Sequence, residues 1–315
     1  MRGPTLVTGG TGFAGSHLIE QLLANGRDVA AWSNPGGHAP PPGPSDVGWR
    51  AVDLLDRGAV SEAIAGLSPS AVFHCAGFAD VAGAWADPDG ALRVNALGTH
   101  YLLDAVRRAG LPCPVLVTAS ALVYRPSPDP LREDAPIGPS GPYGISKLAQ
   151  EMVAAASDGV RVIIARPFNH AGPRQSPSYV TSHFARQIAE IEHGRREPVL
   201  HVGNLESRRD ITDVRDIVRA YLLLVERGRP RRPYNVCSGR PYRVGDLLAT
   251  LVGLSQVRVT VRADPALMRP ADIPVVVGDP TRIREETGWE PEVPMEKTLA
   301  DLLDYWRARM AAIAG

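Results

Sequence analysis

The chain has 315 residues, enough for one large domain or for two lobes with substantial cores. Lysine plus arginine and aspartate plus glutamate both total 34, so the net charge is zero, and no basic tract indicates nucleic acid or a membrane surface. The three cysteines lack C-x-x-C spacing, no apolar run is long enough to span a bilayer, and a strand begins too early to leave room for a signal peptide. These features predict a cytoplasmic protein without nucleic-acid or membrane partners, and the spacing of the eight histidines predicts no metal site.

The first motif is a glycine turn between a predicted strand, Thr5 to Thr8, and a predicted helix from Ser16 to Ala24. Glycines let the backbone turn tightly and approach a pyrophosphate, whose charge meets the positive end of the helix. This context favours a dinucleotide site over a plain turn. The predicted cofactor-binding residues of this turn are Gly9, Gly12, Phe13, Ala14 and Gly15.

The residues that follow the second predicted strand, Asp28 to Trp32, determine which groups can bind the ribose of the adenosine. An acidic residue there favours NAD and a basic one favours NADP, but the chain has Ser33 and Asn34 after Trp32. Either side chain could donate to a 2′-phosphate. The expected cofactor is therefore NADPH or NADH, with a slight preference for NADP.

Strands and helices alternate from Thr5 to Val117, which predicts an α/β fold with a doubly wound parallel sheet and a smaller C-terminal α/β substrate lobe. The dinucleotide-binding domain is predicted to hold residues 1–166 plus about 210–230. The smaller lobe is predicted to hold residues 167–209 plus 231–315. His74, at a buried strand end, is interpreted as a hydrogen-bonded core residue rather than a ligand.

Three polar residues are predicted to meet in one cleft. Ser120 follows the apolar strand Pro114 to Val117, and Tyr143 and Lys147 lie one helical turn apart on one helix face. An ammonium group nearby would lower the pKa of the phenol, which could then exchange a proton with a substrate hydroxyl or carbonyl. We therefore predict that this set is catalytic.

Six motifs occur in order along the chain and are together far more specific than any one of them. They are Gly9-x-x-Gly12-x-x-Gly15, Asp53-Leu54, His74-x-Ala76, Asn95 with Gly98-Thr99, Ser120-x-x-Val123-Tyr124 and Tyr143-x-x-x-Lys147. With them the chain resembles the extended short-chain dehydrogenase/reductase family, in its nucleotide-sugar branch. The resemblance implies that Asp53 and Leu54 lie by the adenine and that Ser120, Tyr143 and Lys147 are the catalytic set. It also implies cofactor contacts by Ala76, Gly77, Asn95, Tyr143 and Lys147.

The second half resembles a narrower group, the GDP-mannose 4,6-dehydratases and the related GDP-6-deoxy-4-keto-mannose reductases. The residues that carry this likeness include Arg166-Pro-Phe-Asn169-His-x-Gly172-Pro173, Gly203-Asn204-Leu205-x-x-x-Arg209-Asp210 and Arg269-Pro270-x-Asp272. The resemblance implies a GDP-sugar substrate, with Asn169, Arg209 and Arg269 at the diphosphate and Asn204 near the base. Asp272 is assigned to the same site, with a surface ion pair to Arg269 as the alternative.

Two positions depart from what these families usually have. Arg125 replaces the glycine that follows the Val-Tyr pair, and we expect its side chain to point into solvent. Leu122 stands where the 4,6-dehydratases carry the glutamate that removes a proton from C5 and helps expel water from C6. Because leucine cannot carry a proton, dehydration is disfavoured unless Glu133 or Glu151 replaces the missing acid.

The hypothesis is therefore reduction of the C4 keto group of GDP-4-keto-6-deoxy-D-mannose to GDP-D-rhamnose, in nucleotide-deoxysugar biosynthesis. The alternatives are an NDP-sugar 4-epimerase with tightly bound NAD, and a nucleotide-sensing protein with a vestigial site. Relatives pair two long helices across a twofold axis, here predicted at Ala91 to Arg108 and Tyr143 to Ala156. The resemblance thus implies a homodimer with a four-helix interface.

Overall fold

The structure, a computed structural model, describes residues 3–37, 46–268 and 273–312 as alternating strands and helices. The strands are β1 (Thr5–Thr8), β2 (Val29–Ser33), β3 (Val47–Ala51), β4 (Ala71–His74), β5 (Pro114–Thr118), β6 (Arg161–Pro167), β7 (Asn169–Ala171), β8 (Val199–Val202), β9 (Arg208–Asp213), β10 (Pro233–Val236), β11 (Pro241–Arg243), β12 (Thr260–Ala263) and β13 (Val275–Val276). The α-helices are α1 (Phe13–Ala24), α2 (Arg57–Leu67), α3 (Gly83–Ala86), α4 (Pro88–Leu92), α5 (Thr99–Arg108), α6 (Pro142–Ala156), α7 (Val180–Glu192), α8 (Val214–Arg227), α9 (Val244–Gly253), α10 (Thr281–Thr287) and α11 (Met295–Ala312).

A seven-stranded sheet, in the order β10-β6-β5-β4-β1-β2-β3, has every neighbouring pair parallel. Successive side chains of a strand point to opposite faces, so β1 sends Leu6 to the face covered by α2, α5 and α6, and Val7 to the face covered by α1 and α8. Both faces are covered, which explains why the strands are almost continuously apolar. The predicted doubly wound parallel sheet is confirmed.

The edge of this sheet differs from the prediction at one strand. The sequence predicts that residues from 231 onward belong to the smaller lobe. In the structure, however, β10 pairs with β6 in the large sheet, and Tyr234 lies opposite Ala165. The physical reason is that α8 packs on the sheet and the chain leaving it enters the sheet beside β6, burying Tyr234 and Val236 completely. Strand β10 thus covers an edge that β6 would otherwise expose.

A separate apolar cluster lies among α7, α9 and α11, with Phe184, Leu247 and Trp306 among its members. It is covered by two small sheets. One joins β11, β9 and β13, with β7 alongside β9, and the other joins β12 and β8. The chain leaving the carboxyl ends of β6 and β10 enters β7 and β11 of the first small sheet. In the part of the chain that the structure describes, no helix is both long and apolar enough to cross a membrane.

The helix predicted from Ala91 to Ala109 contains a change of geometry. Helix α4 continues through a π-helical stretch, Arg93–Gly98, before α5 begins. Asn95 lies in this stretch and is fully buried. Short π-helical stretches are frequent at functional sites, because the wider turn displaces side chains from ordinary helical spacing.

A buried ion pair joins α6 to the sheet. Arg166 on β6 donates through Nε to Glu151 on α6 at 2.8 Å, with a second bond from Nη2, and through Nη1 to the Tyr124 hydroxyl at 2.7 Å. Both ion-pair residues are less than 10% exposed. Removing one partner of such a pair leaves a buried charge without compensation.

We predict that Glu151→Ala destabilises the fold by about 3–5 kcal/mol, because it leaves the Arg166 guanidinium uncompensated. Chemical denaturation followed by circular dichroism measures the loss. The double variant Glu151→Leu/Arg166→Met should be less destabilised than the single variant, since it removes both charges. Equal stability of Glu151→Ala and the unchanged protein would contradict the prediction.

Candidate active site

Ser120 and Tyr143 come together where β5 meets α6. Ser120 caps a 3₁₀ turn, Ala121–Val123, and its hydroxyl accepts from the backbone N–H of Leu122 at 3.1 Å. The same hydroxyl lies near the phenol of Tyr143 and lowers its pKa. A Cβ at Gly144 would lie only 2.5 Å from the carbonyl oxygen of Leu122, so the turn packs directly on the first turn of α6. That close contact brings the predicted serine and tyrosine into one site.

The pKa of Tyr143 differs from the sequence expectation. Burial raises the pKa of this phenol, the neighbouring Tyr179 raises it further, and the hydrogen bond from Ser120 opposes both. The expected lowering by Lys147 is therefore wrong for the protein alone. The reason is that the Lys147 ammonium is directed at other acceptors, while burial penalises the charged phenolate.

Lys147 is buried, and its ammonium donates to the carbonyl oxygen of Thr118 at 2.8 Å and to Oε1 of Gln150 at 2.9 Å. Burial lowers its pKa to about 8, and the charge of the Cys75 thiolate form opposes that shift. The lysine thus ties α6 to the carboxyl end of β5. A Cβ on Gly77 would lie 3.5 Å from Nζ, an ordinary van der Waals distance, so the loop after β4 runs beside the ammonium.

The interpretation of His74 is confirmed. Its Nδ1 lies 2.8 Å from the Thr8 hydroxyl and its Nε2 lies 2.9 Å from the Thr99 hydroxyl. The ring is fully buried, and burial lowers its pKa to about 3, which keeps it neutral. His74 is a hydrogen-bonded core residue that connects β4 with β1 and α5. No group of three or more acidic, histidine or cysteine side chains suited to a metal occurs among the residues that the structure describes.

The glycine turn has the shape that a dinucleotide site needs. Gly9 has φ +67°, and a Cβ there would lie 2.7 Å from Cα of Ala76, whereas a Cβ on Gly15 would lie 2.2 Å from the carbonyl oxygen of Gly9. Gly12 precedes α1 and has no side chain to cap it, so the N–H groups of Phe13 and Ala14 face outward at the positive helix end. These residues fit a pyrophosphate.

The other predicted cofactor residues lie at the same edge of the sheet, since the carboxyl ends of parallel strands share one edge. Ser33 is buried at the end of β2 and Asn34 next to it is exposed, while Asp53 is exposed and Leu54 buried beyond β3. After β4, the backbone N–H of Ala76 donates to the Thr8 hydroxyl.

Asn95 fixes the loop that continues from Gly77. Its Oδ1 accepts from the backbone N–H of Phe78 at 2.8 Å, and its Nδ2 donates to the Ser146 hydroxyl at 2.8 Å. A Cβ on Gly77 would lie 2.7 Å from Oδ1 of Asn95. The side-chain amide of Asn95 therefore connects the π-helical stretch with both the loop after β4 and α6.

The predicted substrate residues that the structure describes lie beyond the large sheet, on or between the small strands β7, β8 and β9. Asn169 starts β7 and is exposed, and Arg209 lies on the adjacent β9, whose Ile211 is opposite Asn169. Asn204 is exposed between β8 and β9, and its Oδ1 accepts from the backbone N–H of Glu206. Arg269 and Asp272 lie outside the described residues. Asp210, next to Arg209, is buried and accepts from three backbone N–H groups, those of Ser238, Gly239 and Gly278.

Both carboxylates considered as substitutes for the missing glutamate are occupied elsewhere. Glu151 binds Arg166, and Glu133 accepts from the backbone N–H of Asn235 while its other oxygen lies 3.5 Å from Arg282. Arg125 is exposed, as predicted. These contacts show that neither Glu133 nor Glu151 is free to replace the glutamate missing at Leu122.

Sequence reasoning missed three residues of this region. His170 stacks on Phe13 at the glycine turn, with ring centroids 5.5 Å apart. Tyr179, just before α7, donates to the carbonyl oxygen of Ala79 at 2.9 Å and so bridges to the loop after β4. Gln150 binds Lys147. Only the position of Gln150, three residues after Lys147 on one helix face, could have identified it from sequence.

Comparisons with known proteins agree with this geometry. The sequence model of the family described as GDP-mannose 4,6 dehydratase matches residues 6–302. The chain belongs to the GDP-mannose 4,6-dehydratase family. The resemblance inferred from the motifs is therefore confirmed.

Three relatives of this family member are informative. GDP-6-deoxy-D-mannose reductase from Pseudomonas aeruginosa is 36% identical over 96% of this chain and 97% of its own length. The structure of RMD from Pseudomonas aeruginosa complexed with NADPH has a TM-score of 0.82, with 33% identity over 97% of this chain and 99% of that one. UDP-glucose 4-epimerase from Thermus thermophilus, complexed with NAD, has a TM-score of 0.85, with 30% identity over 98% of this chain and 99% of that one.

We predict that Gly15→Ala weakens NADPH binding by about tenfold to a hundredfold, since overpacking a tight contact costs about 1–3 kcal/mol. The added methyl would displace the carbonyl of Gly9 and with it the whole turn. Quenching of protein fluorescence by NADPH measures the affinity. Gly66→Ala on α2, where a Cβ meets no atom within 4 Å, is the control and should bind normally. Unchanged affinity in Gly15→Ala would contradict the assigned site.

Proposed function

We propose that the chain reduces the C4 keto group of GDP-4-keto-6-deoxy-D-mannose to GDP-D-rhamnose, using NADPH or NADH. The observation that carries this proposal is the turn after β5, where Leu122 lies between the Ser120 cap and the Tyr143 helix and offers no carboxylate. The site therefore keeps the groups for hydride chemistry and lacks the acid that elimination requires. The similarity to the Pseudomonas aeruginosa reductase supports the same substrate, and the NADPH complex of that organism's RMD supports NADPH.

The glycine turn and the N-terminus of α1 would hold the dinucleotide pyrophosphate, and Asp53 and Leu54 would lie by its adenine. When bound, the reduced dinucleotide supplies a hydride for C4. Tyr143 donates its phenol proton to O4, so the carbonyl becomes a hydroxyl. Ser120 donates a hydrogen bond to the same oxygen and afterwards to the tyrosinate. Lys147 provides the positive charge that favours the tyrosinate once the proton has left.

The raised pKa of Tyr143 suits this direction of reaction. A phenol whose pKa lies above its ordinary value stays protonated at neutral pH and is ready to act as an acid. An oxidation or an epimerisation must begin with the opposite step, removal of a proton from a sugar hydroxyl. The resting protein therefore holds the protonated phenol that ketone reduction consumes.

The second candidate is an NDP-sugar 4-epimerase that retains NAD. The observation in its favour is the close structural similarity to the Thermus thermophilus epimerase. The same serine, tyrosine and lysine would remove and return a hydride at C4 without net cofactor turnover. Nucleotide released by denaturing the purified protein distinguishes the two, because a retained stoichiometric NAD indicates the epimerase.

We predict that the purified protein oxidises NADPH stoichiometrically with GDP-4-keto-6-deoxy-D-mannose and that Tyr143→Phe lowers kcat by about 100- to 10,000-fold, the usual effect of losing a general acid. NADPH absorbance follows the reaction, and product analysis identifies the sugar. Tyr305→Phe on α11 is the matched control and should retain activity. Absence of NADPH oxidation with this substrate would overturn the proposal.

The proposal extends to organisation and location. We place the dinucleotide on the large sheet, and the GDP-sugar between that sheet and the region formed by α7, α9 and α11. We propose that the substrate is bound by Asn169, Asn204 and Arg209, together with Arg269 and Asp272. The three cysteines are free thiols, which supports a reducing compartment such as the cytoplasm, and a near-neutral charge supports a small-molecule substrate rather than nucleic acid.

Exposed apolar side chains support a homodimer through α4, the π-helical stretch, α5 and α6. Ile145 and Met152 are two turns apart on α6 and are 53% and 64% exposed, while Leu92 and Leu97 are both 43% exposed. Leu97 follows Leu92 by five positions, the i→i+5 spacing of a π-helical hydrogen bond. Together they form an apolar strip that a second copy of the chain would cover.

We predict that Met152→Lys converts a dimer into a monomer, because it places a charge in the centre of this strip. Light scattering after size exclusion should give twice the chain mass of 33.7 kDa for the unchanged protein and one chain mass for the variant. Leu254→Lys, an exposed leucine at the end of α9, should leave the dimer intact. A monomeric unchanged protein would refute the interface.

A further inference from the structure

A chain of buried hydrogen bonds leads from Lys147 into the core. The ammonium donates to Oε1 of Gln150, Nε2 of Gln150 donates to the Thr99 hydroxyl at 2.9 Å, and that hydroxyl lies 2.9 Å from Nε2 of His74. The other ring nitrogen of His74 meets Thr8. Gln150, Thr99, His74 and Thr8 are all fully buried. The polar groups of this chain therefore depend on one another for partners.

The side-chain amide of Gln150 can take only one orientation here. Its oxygen must face the ammonium, because Lys147 only donates, and its NH₂ group then faces Thr99. The Thr99 hydroxyl accepts from that group and remains able to donate to the neutral His74 ring. His74 thereby fixes Thr99, Thr99 fixes the amide, and the amide directs one N–H of Lys147.

The ammonium has three N–H groups, and two of them are committed, to Thr118 and to Gln150. Two fixed bonds determine the direction of the third, and the loop at Gly77 lies beside the ammonium. We infer that Gln150 is a positioning residue: through Thr99 and His74 it holds the Lys147 ammonium in the orientation that serves the bound cofactor and Tyr143. This inference rests on the proposed catalytic role of Lys147.

The electrostatics of the surroundings make the Gln150 contact important. Cys75 and His74 face the ammonium from the end of β4, and Tyr143 lies one turn away on α6 itself. Strand β5 contributes the Thr118 carbonyl oxygen, and α5 contributes the Thr99 hydroxyl through Gln150. Burial already lowers the pKa of Lys147 to about 8, so loss of one acceptor would lower that pKa further.

The test compares two substitutions with opposite electrostatic effects, assayed in the full-length protein by NADPH oxidation with the 4-keto sugar. Gln150→Leu removes the acceptor, whereas Gln150→Glu replaces it with a carboxylate. Tyr143 can serve as the acid only while its phenol and the Lys147 ammonium are both protonated. Whichever of these two groups loses its proton first therefore determines the alkaline limb of the plot of kcat/KM against pH. We expect the limb to move to lower pH in Gln150→Leu and to higher pH in Gln150→Glu.

We expect kcat/KM of Gln150→Leu to fall by about tenfold to a hundredfold, the value of one hydrogen bond to a charged group. Thr99→Val is a milder, nearly isosteric change that frees the amide and should move the limb in the same direction as Gln150→Leu. Thr287→Val on α10 is its matched control, a buried threonine of another core cluster, and should leave the profile in place.

If Gln150 had a purely structural role, both of its variants would lose stability, but they would not shift the alkaline limb in opposite directions. The inference is overturned if the alkaline limb stays fixed in all three variants, or if Leu and Glu at position 150 move it in the same direction. The unchanged protein and Lys147→Ala separate this outcome from failure of the proposed function. If the unchanged protein does not oxidise NADPH with the 4-keto sugar, the proposed function fails; if it does and Lys147→Ala is inactive while the Gln150 profiles are unchanged, the positioning role alone fails.

Discussion

The hydrogen bond from Lys147 to the carbonyl oxygen of Thr118 is the contact on which the rest of the site depends. A buried ammonium is costly unless it is hydrogen-bonded, so α6 must be seated where the end of β5 can supply the carbonyl. Gly144 allows α6 to pack this closely, because no side chain at that position separates the helix from the turn after β5. Ser120 and Tyr143 then meet as a consequence of helix placement.

Arg166 holds α6 in the same position through a second set of contacts. It binds Glu151 on α6 and the hydroxyl of Tyr124, which in turn donates to Asn235 on β10. Burial raises the pKa of the Tyr124 phenol to about 12 and holds it neutral, although the charge and hydrogen bond of Arg166 oppose that rise. Two buried cationic side chains, Lys147 and Arg166, therefore fix α6 at successive turns. The site is rigid because each cation would be unsatisfied if the helix moved.

Local sequence signals predicted most of the large sheet, since strand, glycine turn and helix are properties of short segments. They predicted the meeting of Ser120 and Tyr143 for the same reason. They failed at β10, where Tyr234-Asn235-Val236 could equally belong to either region, because sheet edges are chosen by tertiary packing. They also failed for the pKa of Tyr143, because burial and the true partners of Lys147 are properties of the folded molecule.

Leucine at position 122 has an electrostatic consequence beyond the absence of an acid. A carboxylate in a turn packed against Tyr143 would add negative charge beside a phenol whose pKa burial already raises, making the tyrosinate still harder to form. A dehydratase must accept that cost, because its elimination needs the extra proton carrier. In a reductase the tyrosinate forms only when O4 takes the proton. With leucine at position 122, Lys147 is then the dominant charge near the tyrosinate. The apolar turn is thus consistent with the proposed reduction, in which one tyrosine delivers one proton.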